Sequence, residues 1–152
     1  MEKEKQIDVL LIEDNLDDSE LTIYSLLSAN DRLRYQHFTN GEEAIEFVFT
    51  KRTSWGEPMK DYLKLIIIDL KLPNANGFEI ARTFKESEHT KTIPIVVLTS
   101  SKREHDIHIA YEIGINSYVI KPDKFEGYLN KIGSLTSYWC SVNERHNQNA
   151  AL

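Results

Sequence analysis

Short uninterrupted apolar runs recur along the chain and predict buried β-strands. A run of four or more apolar residues between polar ones is typical of a strand that is covered on both faces. The clearest runs fall within residues 8–12, 63–69 and 93–99. Two weaker segments, residues 34–38 and 118–120, complete a set of five predicted strands.

Between these runs, apolar residues recur every three or four positions, which is the spacing of one helix face. The predicted helices span residues 17–29, 41–50, 78–87, 104–113 and 125–142. Strands that alternate with helices need right-handed crossover connections, which place the strands parallel in one sheet. The pattern therefore predicts an α/β protein with a five-stranded parallel sheet.

Length and composition narrow the class of protein. The 152 residues suit one domain with one core, expected over residues 1–142, followed by a polar tail over residues 143–152. Eighteen basic and 24 acidic residues give a net charge of -6, which argues against a nucleic-acid partner.

Other features of the sequence indicate where the protein acts. No apolar run approaches the length of about 20 residues that a membrane helix needs, and the N-terminus lacks the apolar stretch of a signal peptide. The lone Cys140 cannot form an internal disulfide, which suits a reducing compartment. We therefore expect a cytoplasmic protein that makes no membrane contact.

Polar side chains follow four of the predicted strands, at the point where each strand ends. Glu13 and Asp14 follow the first strand, Asp69 ends the third, Thr99 ends the fourth and Lys121 follows the fifth. Ligands of open parallel sheets bind outside the carboxyl ends of the strands, so we expect these groups to converge. Clustered carboxylates need a cation, and hard oxygen ligands with open positions suit Mg²⁺.

The chemistry of these groups points to phosphoryl transfer. A carboxylate such as Asp69 can act as a nucleophile and form an acyl phosphate. The metal, Lys121 and Thr99 can then stabilise charge on the oxygens of the transferring group.

Each of these residues also has an ordinary structural interpretation. Asp14, Asp17 and Asp18 can simply cap the first helix, and Asp69 can be a loop acid. The functional interpretation rests on the joint pattern, in which every polar group occupies the matching strand end.

As a set, these residues resemble the response-regulator receiver family, the CheY-like domains of two-component signalling. The matches are Glu13-Asp14, Asp69 with Pro73 and Gly77, Thr99-Ser100 and Lys121-Pro122. The resemblance implies a flavodoxin-like, doubly wound (βα)5 fold with strand order 2-1-3-4-5. It also implies that Asp69 accepts a phosphoryl group, that Glu13 and Asp14 bind Mg²⁺ with Asp69, and that the backbone carbonyl of Lys71 is a further ligand.

The same resemblance implies a switch and a special peptide bond. Thr99 and Tyr118 match the activation-switch positions: the Thr99 hydroxyl moves toward the phosphoryl group, and the Tyr118 ring turns inward. The Lys121–Pro122 bond is implied to be cis, which is tolerated before proline and would aim the ammonium at Asp69.

A narrower resemblance is to the small regulators that pair with bacterial phytochromes. It rests on a long connection over residues 51–62, on the stretch 69–73 and on the aromatic pair Tyr138-Trp139. It implies a phytochrome-like sensor histidine kinase as the partner.

The last helix carries a feature that the receiver fold does not explain. Leu135, Tyr138, Trp139 and Val142 lie near its end. We expect no output domain after it, so that the receiver surface itself would carry the output. Such an apolar patch predicts a homodimer through the face made by helix four, strand five and helix five. In the alternative, Trp139 folds back on the connection 51–62, against Trp55.

Competing functions are weaker on the same residues. An aspartyl phosphatase of the haloacid dehalogenase type needs a second acid where this chain has Asn15-Leu16, and a flavodoxin-like cofactor carrier needs a Ser/Thr/Gly-rich loop there. His105 and His108 are spaced to share a metal, although solvated surface histidines are commoner. We expect a phosphorylation-controlled binding switch or a relay intermediate, which catalyses only its own phosphoryl transfer and slow autodephosphorylation.

Overall fold

Five strands form one parallel sheet in the computed structural model, which describes residues 5–72 and 75–146. The strands are β1 (Val9–Ile12), β2 (Tyr35–Phe38), β3 (Leu65–Ile68), β4 (Ile95–Thr99) and β5 (Ser117–Ile120). Their order across the sheet is β2-β1-β3-β4-β5, as predicted. Pro73 of the sequence motif and tail residues 147–152 lie outside the described residues.

One helix follows each strand. The helices are α1 (Leu16–Ala29), α2 (Gly41–Thr50), α3 (Gly77–Glu86), α4 (Glu104–Ile113) and α5 (Phe125–Ser137). A short hairpin joins Lys71–Leu72 to Ala75–Asn76 between β3 and α3. After α5 the chain continues as one π-helical turn, Tyr138–Val142. Within the described residues, none of these helices combines the length and apolarity that crossing a bilayer requires.

Two apolar layers sandwich the sheet, because successive strand residues point to opposite faces. In β1, Leu10 and Ile12 pack toward α2 and α3, whereas Val9 and Leu11 pack toward α1 and α5. Both sets are almost fully buried, which explains why the strand reads as a continuous apolar run. Burial of each such side chain stabilises the folded protein by about 1.5–3 kcal/mol.

Asparagine residues form the N-caps of three of the helices. Asn15 caps α1 by accepting a hydrogen bond from the amide of Asp18 (3.0 Å), and Asn40 and Asn76 cap α2 and α3 in the same way. An N-cap oxygen satisfies an amide that has no partner within the helix. Since Asn15 caps α1, the neighbouring acids Asp17 and Asp18 are available for other contacts.

The long connection before β3 is folded on itself. Trp55 packs edge-on against Tyr62, with ring centroids 5.5 Å apart, and its indole N–H donates to the Tyr62 hydroxyl at 3.2 Å. Trp139 instead packs on Tyr138 and on the core beside α1 and α5. The ring partner of Trp55 is thus Tyr62 rather than Trp139. The C-terminal segment does contact the end of this connection, because Arg145 donates hydrogen bonds to the carbonyls of Asp61 and Leu63.

Candidate functional site

The carboxyl edge of the sheet brings together four of the side chains that the sequence pattern selected, namely Glu13, Asp14, Asp69 and Lys121. Ile12 pairs with Ile68 across β1 and β3, so Glu13 and Asp69 leave the sheet side by side. Thr99 pairs with Ile120 across β4 and β5, and the amide of Lys121 donates to the Thr99 carbonyl at 2.7 Å. The strand register therefore carries the side chain of Lys121 to the same edge.

Lys121 lies at the centre of the site. Its Nζ is 2.5 Å from Glu13 Oε1, 2.7 Å from Asp69 Oδ2 and 2.7 Å from Asp18 Oδ2, and its side chain is only 10% exposed. Burial lowers the pKa of Lys121, but the close contacts with the carboxylates of Asp18, Asp69 and Glu13 outweigh that effect and raise the pKa above its ordinary value. The ammonium is therefore charged at neutral pH.

One ammonium does not neutralise the acids around it. Carboxylate oxygens of Glu13, Asp14 and Asp69 all lie within 4.8 Å of one another. Burial, together with the charge of Asp69, raises the pKa of Glu13 to about 8 against the opposing contact with Lys121. Glu13 and Asp69 are buried and Asp14 is exposed, so the cluster is open to solvent on one side.

These residues fit a hard divalent cation. Glu13 Oε1 is buried and has no hydrogen-bond partner among the described residues, although Lys121 Nζ lies 2.5 Å away. Carboxylate oxygens that face partly toward water suit a metal that keeps several water ligands. When bound, a cation of this kind neutralises negative charge between the acids and an incoming phosphoryl group.

Lys71 contacts the proposed phosphoacceptor through its backbone. Its amide donates to Asp69 Oδ1 at 3.2 Å, whereas Lys121 contacts the other oxygen, Oδ2, so both oxygens of the carboxylate are held. The peptide of Lys71 is thus adjacent to the acids, and the role of its carbonyl as a metal ligand stays a prediction.

Thr99 and Tyr118 are linked through the loop after β4. Thr99 is fully buried, and its Oγ1 accepts a hydrogen bond from the Ser101 amide at 3.3 Å. The Tyr118 hydroxyl donates to the Ser101 carbonyl at 2.9 Å, and its ring is already partly buried. Burial raises the pKa of Tyr118, so the hydroxyl remains a donor at neutral pH.

The prediction of a cis Lys121–Pro122 bond was wrong, since every described peptide bond is trans. A cis bond is not required to direct the Lys121 ammonium toward Asp69, because the hydrogen bond from the Lys121 amide to the Thr99 carbonyl extends the β5 pairing as far as Lys121. Pro122 packs closely against α5, since a Cβ on Gly127 would lie only 2.6 Å from the proline Cβ.

The contacts of two residues were missed by the sequence analysis. Asp18, considered only as a helix cap, contacts Lys121 directly and accepts a hydrogen bond from the Tyr128 hydroxyl at 3.3 Å. His37 places its Nε2 2.7 Å from the Glu13 carbonyl. A signal for Asp18 was present, because it lies four residues before the buried Thr22 and so shares the inward face of α1.

The pair His105 and His108 does not form a comparable site. His108 Nε2 lies 3.1 Å from Glu112, and both side chains are about two-thirds exposed. Within residues 5–72 and 75–146, the three side chains close enough together to share a metal ion are those of Glu13, Asp14 and Asp69.

Comparison with known proteins decides the family. The model of the response regulator receiver domain matches residues 9–132. The chain belongs to this family. This receiver is 36% identical over 109 residues to the "Probable methanogenesis regulatory protein FilR2" of Methanothrix harundinacea, a match that covers 62% of this chain and 70% of the relative. It is 29% identical over 131 residues to the response regulator Rcp1 of Synechocystis, covering 86% and 87%.

Solved structures agree with this assignment. The phosphorylated cyanobacterial phytochrome response regulator RcpA superimposes with a TM-score of 0.80 at 25% identity, over 93% of this receiver and 99% of RcpA. The Mn²⁺-bound form of Rcp1 superimposes with a TM-score of 0.79 at 27% identity, over 92% and 99%. The receiver fold, the role in two-component signalling and the likeness to the phytochrome-associated regulators are thereby confirmed, and the acidic cluster fits a divalent metal site.

Proposed function

We propose that Asp69 accepts a phosphoryl group from a sensor histidine kinase in the presence of Mg²⁺, and that this receiver thereby switches a protein-binding surface. The observation that supports the proposal is the setting of Asp69. Its buried carboxylate lies 2.7 Å from the Lys121 ammonium and within 4.8 Å of oxygens of Glu13 and Asp14. A nucleophile, a fixed cation and a metal-ligand set in one place are the parts that phosphoryl transfer needs.

In the proposed transfer, an oxygen of Asp69 attacks the phosphorus of the donor phosphohistidine. The phosphorus–nitrogen bond breaks, and the histidine of the kinase leaves. Lys121, which already contacts Asp69 Oδ2, stabilises the charge on the phosphoryl oxygens. Later attack by water on the phosphorus releases phosphate and restores the carboxylate, which makes the protein a switch rather than an enzyme with an external substrate.

The metal in this proposal is Mg²⁺, held by Glu13, Asp14, Asp69 and the carbonyl of Lys71. All of these ligands offer hard oxygen atoms, which Mg²⁺ prefers. The existence of a Mn²⁺-bound form of Rcp1, whose fold is similar, supports a divalent ion in this receiver.

The proposed partner is a phytochrome-like histidine kinase in the cytoplasm. The support is the similarity to RcpA and Rcp1, of which RcpA is described as a phytochrome response regulator. We also propose that residues 1–142 act as one receiver domain, with a tail over residues 143–152. The net charge of -6 supports a protein rather than a nucleic acid as the downstream target.

We propose a homodimer through the face made by α4, β5 and α5. β5 is an edge strand, and it forms with α5 a shallow groove of about 510 Å³ that includes Tyr118, Val119 and Leu135. Next to this groove, Tyr138 is 49% exposed and Val142 is 66% exposed. A two-fold arrangement would cover this apolar surface with its own copy.

The function is tested by labelling the purified protein with acetyl phosphate. Wild-type protein should gain one phosphoryl group by intact mass, and only when Mg²⁺ is present. Asp69→Asn keeps the size of the side chain but removes the nucleophile, so it should gain none. Asp31→Asn, an exposed loop acid, serves as the matched control and should be labelled like the wild type. Stoichiometric labelling of Asp69→Asn would contradict the proposal.

A further inference from the structure

We propose that Asp18 is a positioning residue for phosphoryl transfer: its carboxylate holds the Lys121 ammonium beside Asp69, while the Tyr128 hydroxyl holds Asp18. The inference rests on the proposed function of Asp69. It adds to the site a side chain from α1 and a side chain from α5, neither of which belongs to the acidic cluster.

Asp18 lies between Lys121 and Tyr128 and contacts both, and these three side chains are called the clamp. Its Oδ2 lies 2.7 Å from Lys121 Nζ, and Asp69 Oδ2 lies 2.7 Å from the same nitrogen. Its other oxygen accepts the hydroxyl of Tyr128 at 3.3 Å. Tyr128 is 3% exposed and Asp18 is 26% exposed. The Asp18 carboxylate is therefore held by a buried hydroxyl and is itself partly accessible to water.

The need for a separate holder follows from the charges. Glu13 and Asp69 belong to the group of acids that fits a divalent cation, whereas Asp18 lies outside that group. Once those two acids share their charge with a cation and with a phosphoryl group, their attraction for the ammonium weakens. Asp18 then remains a partner of Lys121 that is not shared with the cation or the phosphoryl group, and it holds a side chain whose four-carbon stem is otherwise flexible.

Two other roles for Asp18 fit the contacts less well. Capping of α1 is carried out by Asn15, whose side chain receives the amide of Asp18. Withdrawal of Lys121 from the site is contradicted by the distances, because the ammonium contacts Asp18 and Asp69 at the same time. The contact with Asp18 therefore holds the ammonium where the reaction needs it.

The first test compares Asp18→Asn with Asp17→Asn. Asp17 is the exposed neighbour in the same helix turn, so its variant makes the same change of charge without touching the clamp. At saturating Mg²⁺, acetyl phosphate should label Asp18→Asn about tenfold more slowly than wild type, which is the loss expected for one hydrogen bond between charged groups. Asp17→Asn should stay within about twofold of wild type, since it removes only a distant surface charge.

A double-mutant cycle separates positioning from a general structural effect. In a Lys121→Met background the ammonium is gone, so Asp18→Asn should slow the residual labelling no further. Tyr128→Phe, which removes only the hydroxyl, should slow labelling in the same direction and by less than Asp18→Asn. Mg²⁺ affinity, measured by protein fluorescence, should be the same in Asp18→Asn as in Asp17→Asn, because neither side chain belongs to the acidic cluster.

The outcomes also separate this inference from the proposed function. If wild type is labelled at Asp69 but Asp18→Asn is as fast as Asp17→Asn, the positioning role is overturned and the function stands. A full additional loss from Asp18→Asn in the Lys121→Met background overturns it as well, because Asp18 would then act without Lys121. Labelling that persists in Asp69→Asn would instead remove the proposed function, and this inference with it.

Discussion

Gly77 shows how closely a single residue limits the site. It begins α3, and a Cβ at this position would lie 2.3 Å from the carbonyl oxygen of Asp69 and 2.7 Å from Cα of Leu70. Both neighbours are backbone atoms, which cannot move without shifting the proposed phosphoacceptor. Gly77→Ala should therefore lower the free energy of unfolding by about 1–3 kcal/mol and slow labelling by acetyl phosphate.

Gly133 supplies the matched control for that variant. It lies inside α5, and a Cβ there would meet no atom within 4 Å. Gly133→Ala should raise the free energy of unfolding by about 0.5–1 kcal/mol, because alanine loses less backbone entropy in a helix. Urea denaturation measures both changes. Equal stability and equal labelling of Gly77→Ala and wild type would contradict the close approach at Asp69.

Thr99 is the residue that should couple phosphorylation to the rest of the molecule. Its buried hydroxyl contacts the Ser101 amide, and the Ser101 carbonyl accepts the Tyr118 hydroxyl. Thr99→Ala should be labelled at Asp69 but should lose any phosphorylation-dependent change in the Tyr118 environment, measured by NMR of the ring. Thr99→Ser keeps the hydroxyl and should retain the change. Normal coupling in Thr99→Ala would assign the signal to another residue.

At this scale the sequence pattern predicted the strand-end groups well. Glu13, Asp14, Asp69 and Lys121 converge because parallel strands end at one edge, and Thr99 ends β4 at the same edge. The pattern did not distinguish the inward Asp18 from the outward Asp17, nor the trans Lys121–Pro122 bond from a cis one. The geometry of the Lys121–Pro122 bond depends on how the end of β5 packs, which local spacing does not encode, whereas the four-residue spacing of Asp18 and Thr22 was a signal that the sequence analysis did not use.

At the scale of elements, Lys85 links α3 to the segments that precede β4 and β5. Its Nζ donates to the carbonyl of Ile93 before β4 at 3.1 Å and to Asn116 Oδ1 before β5 at 2.9 Å. Asn116 Oδ1 also accepts the amide of Ile95 at 2.9 Å. Burial lowers the pKa of Lys85 from its ordinary value of 10.5 to about 8, because these neutral oxygens do not offset the loss of water.

This shift predicts how stability depends on pH. Between pH 8 and 10.5 the unfolded chain binds more protons at Lys85 than the folded protein does, so the free energy of unfolding rises with pH in that window. Relative to Lys85→Met, wild type should gain about 1–2 kcal/mol between pH 7 and 10, after allowance for partial exposure. Lys91→Met, which removes an exposed lysine paired with Glu88, is the control. A difference that does not change with pH would contradict the shift.

The elements themselves were predicted to within a few residues, and α2 and α4 have the predicted limits. The last helix was less well predicted, because it leaves α-helical geometry at Tyr138 and becomes a π-turn. Gly127 is unfavourable in the interior of a helix, yet its lack of a side chain lets α5 pack on Pro122. The hairpin at Lys71–Leu72 was not predicted, since two-residue strands have no periodicity to detect.

At the scale of the whole molecule, the proposed homodimer is the main consequence of the exposed α5 end. Tyr138→Glu places a charge on the proposed interface, whereas Tyr35→Glu changes the exposed tyrosine of β2 at the opposite edge of the sheet. Sedimentation at micromolar concentration should give a dimer for wild type with an acyl-phosphate mimic bound, a monomer for Tyr138→Glu and a dimer for Tyr35→Glu. A wild-type monomer with and without the mimic would contradict the dimer.

The central claim is that the phosphoryl group is attached to Asp69. Borohydride reduces an acyl phosphate to the corresponding alcohol, so it converts a phosphorylated aspartate into homoserine and marks its place in the chain. The labelled protein, reduced and analysed as peptides by mass spectrometry, should contain homoserine at position 69 and aspartate at positions 14 and 18. Homoserine at either of those two positions, or aspartate retained at position 69 in fully labelled protein, would contradict the account.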